Sequence, residues 1–295
     1  MKTIAIRKSQ KAYLPEIEIY KRYFSEYRFI DFYDEKDLCG ESVDLLWMFM
    51  GMDRRKHDIP CIHEYVSLSL PPMVGFKDWL KKRLNAKPDL RVFLHEDIEK
   101  KLNFQDGVPC CYRDMGVDGL FFAEKPVKKQ YDFVYVGSMA KDRHLENFLI
   151  WMKRHSEATM LLVGEPPQEI YQEYGSCKNI VFTGRVTYDE VPAIAQQAEY
   201  AVNYIPDVFP FNIQTSTKLL EYAAMGMKIV TTSYSWVRNF ADNRGMKFFY
   251  LDENCSNLNM DTLANFDFVT TDIRDLEWKN ILDKSGLRQA IAKVI

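Results

Sequence analysis

The chain has 295 residues, more than one average domain, which predicts two domains. Its 47% hydrophobic and 27% charged residues are typical of a globular protein with buried cores. The net charge of −3 argues against a nucleic-acid-binding protein, because such proteins concentrate positive charge. We therefore expect no nucleic-acid partner.

The cysteines and the apolar runs point to a location. The six cysteines are scattered and form no C-x-x-C pair, which predicts free thiols in a reducing compartment. The first residues, "MKTIAIRKS", resemble a strand more than a signal peptide. Since no stretch approaches the ~20 apolar residues of a membrane span, we expect a cytoplasmic protein.

The first half of the chain alternates between strand and helix patterns. Strands are predicted in "KTIAIR", "RFIDFY", "SVDLLWMFMG", "PCIHEYVSLSL", "DLRVFLHED" and "GVPCCYR", and helices in "YLPEIEIYKRYFSEY" and "EDIEKKLNF". The polar, proline-containing "AEKPVKKQ" (123–130) is predicted to be an interdomain linker.

The second half repeats this alternation more regularly. Strands are predicted in "YDFVYVGSM", "ATMLLVGE", "NIVFTGRV", "YAVNYIP" and "MKIVTTS", with helices between them and one in the tail "EWKNILDKSGLRQAIAKVI". Such alternation predicts an α/β fold with parallel sheets. We expect two doubly wound domains, 1–125 and 126–275, facing each other across a cleft, with a tail helix at 276–295 packed on the first.

Ligands of open parallel sheets bind where strands end, so the residues there are candidates. Glycine lets a backbone approach a ligand, and cations at a helix start suit phosphate. A solvated turn explains each segment equally well. The candidates in the second half are Gly137, Ser138, Lys141, Arg143, Gly164, Glu165, Gly184 and Arg185.

The segment "STKLLEYAAMG" predicts a helix that carries a lysine and a glutamate on one face, since Lys218 and Glu221 are three residues apart. The hydroxyls of "TST" suit an N-cap. The first-turn amides and Lys218 suit a diphosphate, and Glu221 could accept two hydrogen bonds from a ribose. An ordinary Lys–Glu surface pair is the alternative.

Together, "VGS…KDR", "LLVGE", "FTGRV" and "STKLLEYAAMGMKIVTT" resemble the C-terminal domain of glycosyltransferases of the GT-B fold. The resemblance is strongest to family 4, the retaining nucleotide-sugar transferases, and covers about residues 131–252. It implies two Rossmann-like domains. The donor domain holds the nucleotide-sugar, and the N-terminal domain holds the acceptor.

Carried onto this sequence, the resemblance assigns roles within the donor site. Lys218 and Arg143 stabilise the leaving diphosphate. Glu221 binds the ribose. The remaining donor-binding residues are Gly137, Ser138, Lys141, Gly164, Glu165, Gly184, Arg185, Val186, Tyr188 (facing the base), Ser216, Thr217 and Leu219.

Two positions depart from the family pattern. Ser138 stands where the family usually has an arginine, and Ile213 stands where it has the first of two glutamates, the one that contacts the donor sugar. Lys141 or Arg185 could replace the missing charge. The chain has no D-x-D, which suits a transferase that uses no metal ion, so we expect no metal and no cofactor besides the nucleotide-sugar.

For the acceptor, the candidates lie at strand ends of the first half. They are His63 and Glu64 in "PCIHEY" and His95, Glu96 and Asp97 in "FLHED". An inverting mechanism needs a general base, for which His63 is the candidate. A retaining one, as family 4 implies, would use the leaving phosphate instead, and the sequence leaves both open.

Residues 71–91 interleave Phe76 and Trp79 with lysines and arginine. This pattern fits either peripheral contact with anionic lipid at the inner face of a membrane or a surface helix with a buried face. As a whole, the sequence predicts a glycosyltransferase that moves a sugar from a UDP- or GDP-sugar to a glycan or lipid-linked acceptor in cell-surface polysaccharide (capsule or lipopolysaccharide) synthesis. The alternative is a non-catalytic nucleotide-sugar-binding subunit.

Overall fold

The computed structural model describes residues 1–8, 14–49, 52–69, 72–123 and 127–295. The chain divides into two compact units, one formed by Met1–Gly116 with Asp275–Ile295 and the other by Val117–Arg274. The domain boundary predicted between residues 125 and 126 lies outside the described residues.

The described residues contain strands and helices in regular alternation. The strands are β1 Thr3–Arg7, β2 Arg28–Phe32, β3 Leu45–Phe49, β4 Cys61–Tyr65, β5 Leu90–Phe93, β6 Cys110–Tyr112, β7 Tyr131–Val136, β8 Met160–Val163, β9 Ile180–Gly184, β10 Ala198–Asn203, β11 Lys228–Thr232 and β12 Phe249–Leu251. The helices are α1 Glu16–Tyr23, α2 Val74–Leu84, α3 Glu96–Leu102, α4 Glu146–Arg154, α5 Gln168–Tyr174, α6 Val191–Ala195, α7 Thr217–Ala224, α8 Ser235–Arg244, α9 Met260–Ala264, α10 Trp278–Ser285 and α11 Leu287–Val294.

Each unit contains one six-stranded parallel sheet. The strand order is β2-β1-β3-β4-β5-β6 in the first and β12-β11-β10-β7-β8-β9 in the second. In both sheets the order reverses beside the first strand of the unit, β1 or β7, which is the switch point where ligands of open parallel sheets bind. The predicted α/β fold with two doubly wound sheets is confirmed.

The core of the first unit includes residues from the end of the chain. Trp47 and Ile62 from the central strands pack in one cluster with Trp278 and Leu287 from α10 and α11. A Cβ on Gly116 would lie 2.5 Å from the Trp278 ring, so this glycine leaves room for the indole. The tail therefore completes the hydrophobic core of the first unit.

The tail is two helices, where the sequence predicted one. Gly286 lies between α10 and α11 with φ +68°, a left-handed conformation that ends α10. The sequence also gave no signal for α9, which forms within "DENCSNLNMDTLANFDF" after Asn259. The Asn259 side chain caps it by accepting hydrogen bonds from the amides of Asp261 and Thr262.

Aromatic residues lie on both sides of a helix–sheet contact in the core of the second unit. Phe133 and Tyr135 of β7 pack against Phe148 and Met152 of α4, and all four side chains are at most 2% exposed. This packing fixes β7 in the middle of the sheet, and the residues that follow β7 begin the candidate site.

Candidate functional site

Three glycines lie at the ends of three neighbouring strands, β7, β8 and β9. Gly137, Gly164 and Gly184 all have positive φ, at +115°, +140° and +69°. The Gly164 amide donates to the Gly184 carbonyl at 3.0 Å. A Cβ on Gly164 would lie 2.6 Å from the Gly137 carbonyl oxygen, so a side chain cannot fit there. The sequence predicted these glycines as a ligand-facing edge, and the structure places them side by side.

Lys218 extends from the first turn of α7 toward the end of β7. Its Nζ lies 3.7 Å from the centre of the Tyr135 ring, a cation–π contact, and 3.7 Å from where a Cβ on Gly137 would be. Within the described part of the chain, no carboxylate pairs with it. Burial and the nearby positive charge of Arg143 hold the pKa of Lys218 well below its usual value. Lys218 thus lies, without a paired carboxylate among the described residues, beside the three glycines at the ends of β7, β8 and β9, which we call the glycine edge. A cation in this position is suited to bind an anion.

The amides at the start of α7 contribute to the same place. Ser216 is the N-cap, and its Oγ accepts a hydrogen bond from the Leu219 amide at 3.4 Å. The Leu219 amide, which was predicted to donate to a phosphate, therefore already has an acceptor. Among the described residues, the amides of Thr217 and Lys218 have no acceptor. Such open amides at a helix start attract negative charge.

Glu221 lies one turn further along α7. Its Oε1 accepts a hydrogen bond from the Tyr188 hydroxyl at 2.9 Å. Burial raises the pKa of Glu221 to about 7, against the lowering effects of the Tyr188 hydrogen bond and the Lys218 charge. Tyr188, which the resemblance placed toward a base, bonds this carboxylate, and its ring packs against the Phe121 ring at 5.3 Å.

The other predicted donor residues surround these groups to different degrees. Arg143 ends a short 3-10 turn, Lys141–Arg143, and its guanidinium lies 5.2 Å from the centre of the Phe211 ring. Ser138 is exposed, and its Oγ accepts from the Ala140 amide. Of the remaining residues singled out in the sequence, three are exposed, Lys141, Glu165 and Arg185. Two are partly buried, Val186 and Ile213.

A buried polar network that the sequence analysis missed holds the start of α7 in place. Asn203, the last residue of β10, is 0% exposed. Its Nδ2 donates to Thr231 and Tyr234, and its Oδ1 accepts from Ser216. Because every bond is satisfied inside the protein, the network is structural. An asparagine in the apolar strand "YAVNYIP" was the available signal.

A second support links α7 to β7. The Val136 amide donates to the Tyr222 hydroxyl at 2.8 Å. Since Tyr222 follows Glu221 in α7 and Val136 precedes Gly137, this bond sets the distance between the helix and the glycine edge.

In the first unit, the geometry does not support the acceptor role predicted for Glu64. The residue is 0% exposed. Its carboxylate accepts from Tyr20 at 2.9 Å, Trp47 at 2.7 Å and Arg113 Nε at 2.7 Å. Arg113 is also bonded to Glu16, and both partners are buried. Glu64 is thus the centre of a satisfied internal network.

His63 differs from its predicted role in the same way. It is 1% exposed, and its Nε2 lies 3.4 Å from Asp53 Oδ2. Burial lowers the pKa of His63, although Asp53 acts in the opposite direction. A buried side chain cannot reach an acceptor hydroxyl, so His63 is not positioned as a base. His95 is partly exposed at the N-cap of α3, where its Nδ1 accepts from the Asp97 amide at 3.2 Å.

A cavity lies instead at the carboxyl ends of β1, β2 and β3, with a volume of about 220 Å³. Its charged lining includes Arg7, Arg54, Arg55, Asp34 and Glu35. Arg55 is paired with Glu35 at 2.6 Å. Within the described residues, Arg7 and Arg54 have no acidic partner, which leaves two cations free at this edge.

Comparisons with known proteins agree with this architecture. Residues 130–254 match the family model described as glycosyl transferases group 1. No curated protein sequence matches the chain.

Solved structures match over the whole chain, at low sequence identity. The sucrose-phosphate synthase of Thermosynechococcus elongatus has a TM-score of 0.62 at 12% identity, over 100% of this chain and 95% of that one. HepE of Anabaena, in complex with UDP and glucose, has a TM-score of 0.63 at 11% identity, over 99% of both chains. AviGT4, a glycosyltransferase involved in avilamycin A biosynthesis, has a TM-score of 0.61 at 11% identity, over 100% and 98%.

The class of protein follows from the fold and the family match together. The two parallel-sheet units are those of the GT-B fold, and the matched segment contains the glycine edge and α7. The fold is therefore that of GT-B glycosyltransferases, and residues 130–254 match the group 1 glycosyltransferase family, as the sequence predicted.

Proposed function

We propose that this protein transfers a sugar, with retention, from a UDP- or GDP-sugar to a glycan or lipid-linked saccharide in cell-surface polysaccharide synthesis. One observation supports the proposal most. Lys218, which forms no ion pair among the described residues, lies beside Gly137, and Glu221, whose carboxylate accepts one side-chain hydrogen bond, lies one turn away. Structural neighbours from Anabaena are complexes with UDP and with UDP-glucose, which favours UDP as the first nucleotide to test.

In the proposed reaction, the bond from the anomeric carbon to the β-phosphate oxygen breaks, and a bond to the acceptor oxygen forms. The leaving phosphate takes the proton of the acceptor hydroxyl. Lys218, Arg143 and the open amides of Thr217 and Lys218 stabilise the charge that develops on the diphosphate. Glu221 accepts hydrogen bonds from the ribose hydroxyls.

The same cations make a catalytic metal ion unnecessary in this proposal. Lys218 and Arg143 supply the positive charge that Mg²⁺ supplies in metal-dependent transferases. We expect addition of Mg²⁺ or Mn²⁺ to change the rate of donor turnover less than about twofold, a difference too small for a metal that stabilises the leaving group.

The test begins with ligand binding and donor hydrolysis. A thermal-shift screen with UDP, GDP, ADP and CMP identifies the nucleotide, since a ligand at 100 times its Kd stabilises the protein by about 2.7 kcal/mol. The matching nucleotide-sugars are then assayed for release of the nucleotide. We expect Lys218→Ala to reduce this release by about 10²–10³-fold, as the loss of one preorganised charge-stabilising group does.

Lys228→Ala is the matched control, because Lys228 is an exposed lysine of the same unit that is paired with Glu199 at 2.5 Å. Its activity should equal that of the parent. Equal activity in Lys218→Ala would contradict the proposal. Tight nucleotide binding without turnover on any glycan acceptor would instead support the non-catalytic subunit, the alternative that Ile213 and Ser138 favour.

We propose that the acceptor binds in the cavity at the ends of β1, β2 and β3. Its free cations, Arg7 and Arg54, suit an acceptor that carries phosphate or carboxylate groups. This replaces the predicted sites at His63 and Glu64, which are buried. His95 remains an acceptor candidate by its partial exposure.

We also propose that α2 contacts an anionic lipid surface at the cytoplasmic face of a membrane. The Phe76 and Trp79 rings are stacked 5.9 Å apart and are 54% and 51% exposed. The exposed Lys82 and Arg83 follow them on α2, and Pro71 of the predicted stretch lies outside the described residues. Among the helices that the structure describes, none has the length and apolar character to cross a bilayer.

Vesicle sedimentation tests this contact. The protein should bind phosphatidylglycerol-containing vesicles and not pure phosphatidylcholine ones, since each basic residue near an anionic surface contributes about 1 kcal/mol. Trp79→Ser should lower the bound fraction several-fold. Tyr171→Ser, at a residue of the second unit that is 56% exposed, should leave it unchanged. Equal binding by Trp79→Ser would show that α2 is an ordinary surface helix.

A further inference from the structure

One segment of the first unit, beside the cavity described above, concentrates residues that can bind metal ions. In "DRRKHDIPCIH", Asp53, His57, Cys61 and His63 fall within eleven residues. Cys61 and His63 are two apart in β4, so both side chains lie on the same face of the sheet. Asp53 lies in the segment before β4. The fold thus brings oxygen, nitrogen and sulfur donors together.

The distances between these donors match those of a coordination shell. One ligand atom each from Asp53, Cys61 and His63 lie within 4.8 Å of one another. Two ligands bound at 2.0–2.3 Å to a tetrahedral ion lie roughly 3.3–3.8 Å apart, and His63 Nε2 is 3.4 Å from Asp53 Oδ2. His57 Nε2 lies 2.9 Å from the same carboxylate oxygen, outside the three-residue group, and is the candidate for a fourth donor.

Burial makes this cluster unlike an exposed group of polar side chains. Asp53 is 6% exposed, Cys61 4% and His63 1%. In the described part of the chain, His63 Nδ1 has no hydrogen-bond partner. Nε2 of the same ring is the atom near Asp53, so the site rests on the three clustered donors and not on the bare Nδ1.

The backbone of Asp53 is held by two hydrogen bonds to residues that follow α2. The Asp53 amide donates to Asn85 Oδ1 at 2.9 Å, and its carbonyl accepts from the Ala86 amide at 2.7 Å. These bonds hold the carboxylate in place from the end of α2. The carboxylate itself is contacted by His57 Nε2, the kind of side-chain contact that orients a metal ligand.

We propose that Asp53, His57, Cys61 and His63 bind one Zn²⁺ ion in a closed, structural site. The mixture of thiolate, imidazole and carboxylate suits Zn²⁺ and disfavours Mg²⁺ and Ca²⁺, which select oxygen ligands. On binding, the Cys61 sulfur–hydrogen bond breaks, the proton passes to water, and a zinc–sulfur bond forms. The ion fixes the segment before β4, from which Asp53 and Arg54 line the cavity proposed for the acceptor. The site has no part in the donor chemistry.

Cobalt substitution tests the site directly. After removal of any affinity tag, metal is stripped with a chelator, and the full-length protein is titrated with Co²⁺. We expect one ion per chain, visible bands of tetrahedral cobalt, and a near-ultraviolet band from sulfur-to-cobalt charge transfer. One equivalent of Zn²⁺ should bleach these bands, because Zn²⁺ binds such ligands more tightly than Co²⁺ does.

Variants assign the ligands. Cys61→Ser should abolish the charge-transfer band, while Cys39→Ser, at an exposed free cysteine of the same unit, should leave it unchanged. His57→Gln and His63→Gln should each weaken Co²⁺ binding by more than about tenfold. If Cys61→Ser fails to fold, Cys61→Ala supplies the same comparison.

The result that overturns the proposal is a parent protein that binds no Co²⁺ or Zn²⁺ after desalting, or an unchanged cobalt spectrum in Cys61→Ser. Binding of UDP by Cys61→Ser should match that of the parent. The zinc site and the donor site therefore succeed or fail separately.

Discussion

Glu64 and Glu221 are two carboxylates surrounded by protein, one in each unit, and their environments differ. Glu64 accepts hydrogen bonds from Tyr20, Trp47 and Arg113. In the described residues, Tyr188 is the only side chain that donates to Glu221, whose pKa is raised to about 7. A carboxylate that the fold has satisfied has nothing left for a ligand, whereas a poorly satisfied one keeps that capacity.

The cations beside these carboxylates show the same contrast. Arg113 is fully buried and bonded to Glu64 and Glu16. Among the described residues, Lys218 forms no ion pair; its Nζ lies over the face of the Tyr135 ring, and burial lowers its pKa. A charge that the fold holds without a counter-charge is destabilising in the free protein and is found mainly where a ligand supplies the missing charge. The number of internal partners thus separates the structural pair from the one that we propose binds the donor.

The largest expected effect comes from breaking the satisfied pair. Glu64→Ala leaves the Arg113 guanidinium buried with Glu16 as its remaining acidic partner. We expect the free energy of unfolding of the first unit to fall by about 3–5 kcal/mol, as for a broken buried ion pair. Urea titration followed by circular dichroism measures this loss.

The control is Glu221→Gln, which removes no internal ion pair and should not lower stability. UDP binding by Glu64→Ala below its unfolding transition should equal that of the parent. A stable Glu64→Ala protein with a selective loss of activity toward acceptors would restore the acceptor role that the sequence predicted.

The next effect is a pH dependence that belongs to Glu221. Ribose hydroxyls donate to the ionised carboxylate, so UDP affinity should rise about tenfold per pH unit up to the pKa near 7 and level off above it. In Glu221→Gln this rise should disappear. Isothermal titration calorimetry from pH 5.5 to 8.5 compares the two proteins, and the ionisation of UDP itself cancels in the ratio of their affinities.

The same shift predicts a change in stability. Because the folded pKa of Glu221 lies above its unfolded value of 4.5, ionisation destabilises the folded protein increasingly from about pH 4.5 to pH 7 and by a constant amount above that. Without ligand, Glu221→Gln should therefore melt at a higher temperature than the parent at pH 8 and at the same temperature at pH 4. An equal difference at both values would show that Glu221 is not the titrating group.

The sequence predicted most of the fold, because strand and helix periodicities are local patterns. Strands β1 to β9 and β11 lie within predicted strand segments, and β10 begins two residues before its predicted segment. α8 was missed because its apolar residues are few, with only Val237 and Ala241 buried. The tail was predicted as one helix, although Gly286 in "KSGLR" was a visible C-cap signal.

The donor site was predictable where it depends on helical spacing and not where it depends on long-range contacts. Lys218 and Glu221 share a helix face by spacing alone. The Tyr188–Glu221 bond and the Asn203 network join residues 13 to 33 positions apart, which no local pattern specifies. His63 was misassigned because the end of a strand was taken to be accessible, and the sequence does not show which strand ends are covered.

The smallest expected effect separates two roles for Tyr188. Its hydroxyl lowers the pKa of Glu221, so in Tyr188→Phe that pKa should rise further, while the ring still packs against Phe121. UDP affinity at pH 7 should fall about fivefold, the value of roughly 1 kcal/mol for one hydrogen bond, and should return close to that of the parent at pH 9. Calorimetry at the two pH values measures this difference. A loss that is equal at both would mean that the hydroxyl contacts the nucleotide itself, as the resemblance to family 4 implied, and that its bond to Glu221 is exchanged when the donor binds.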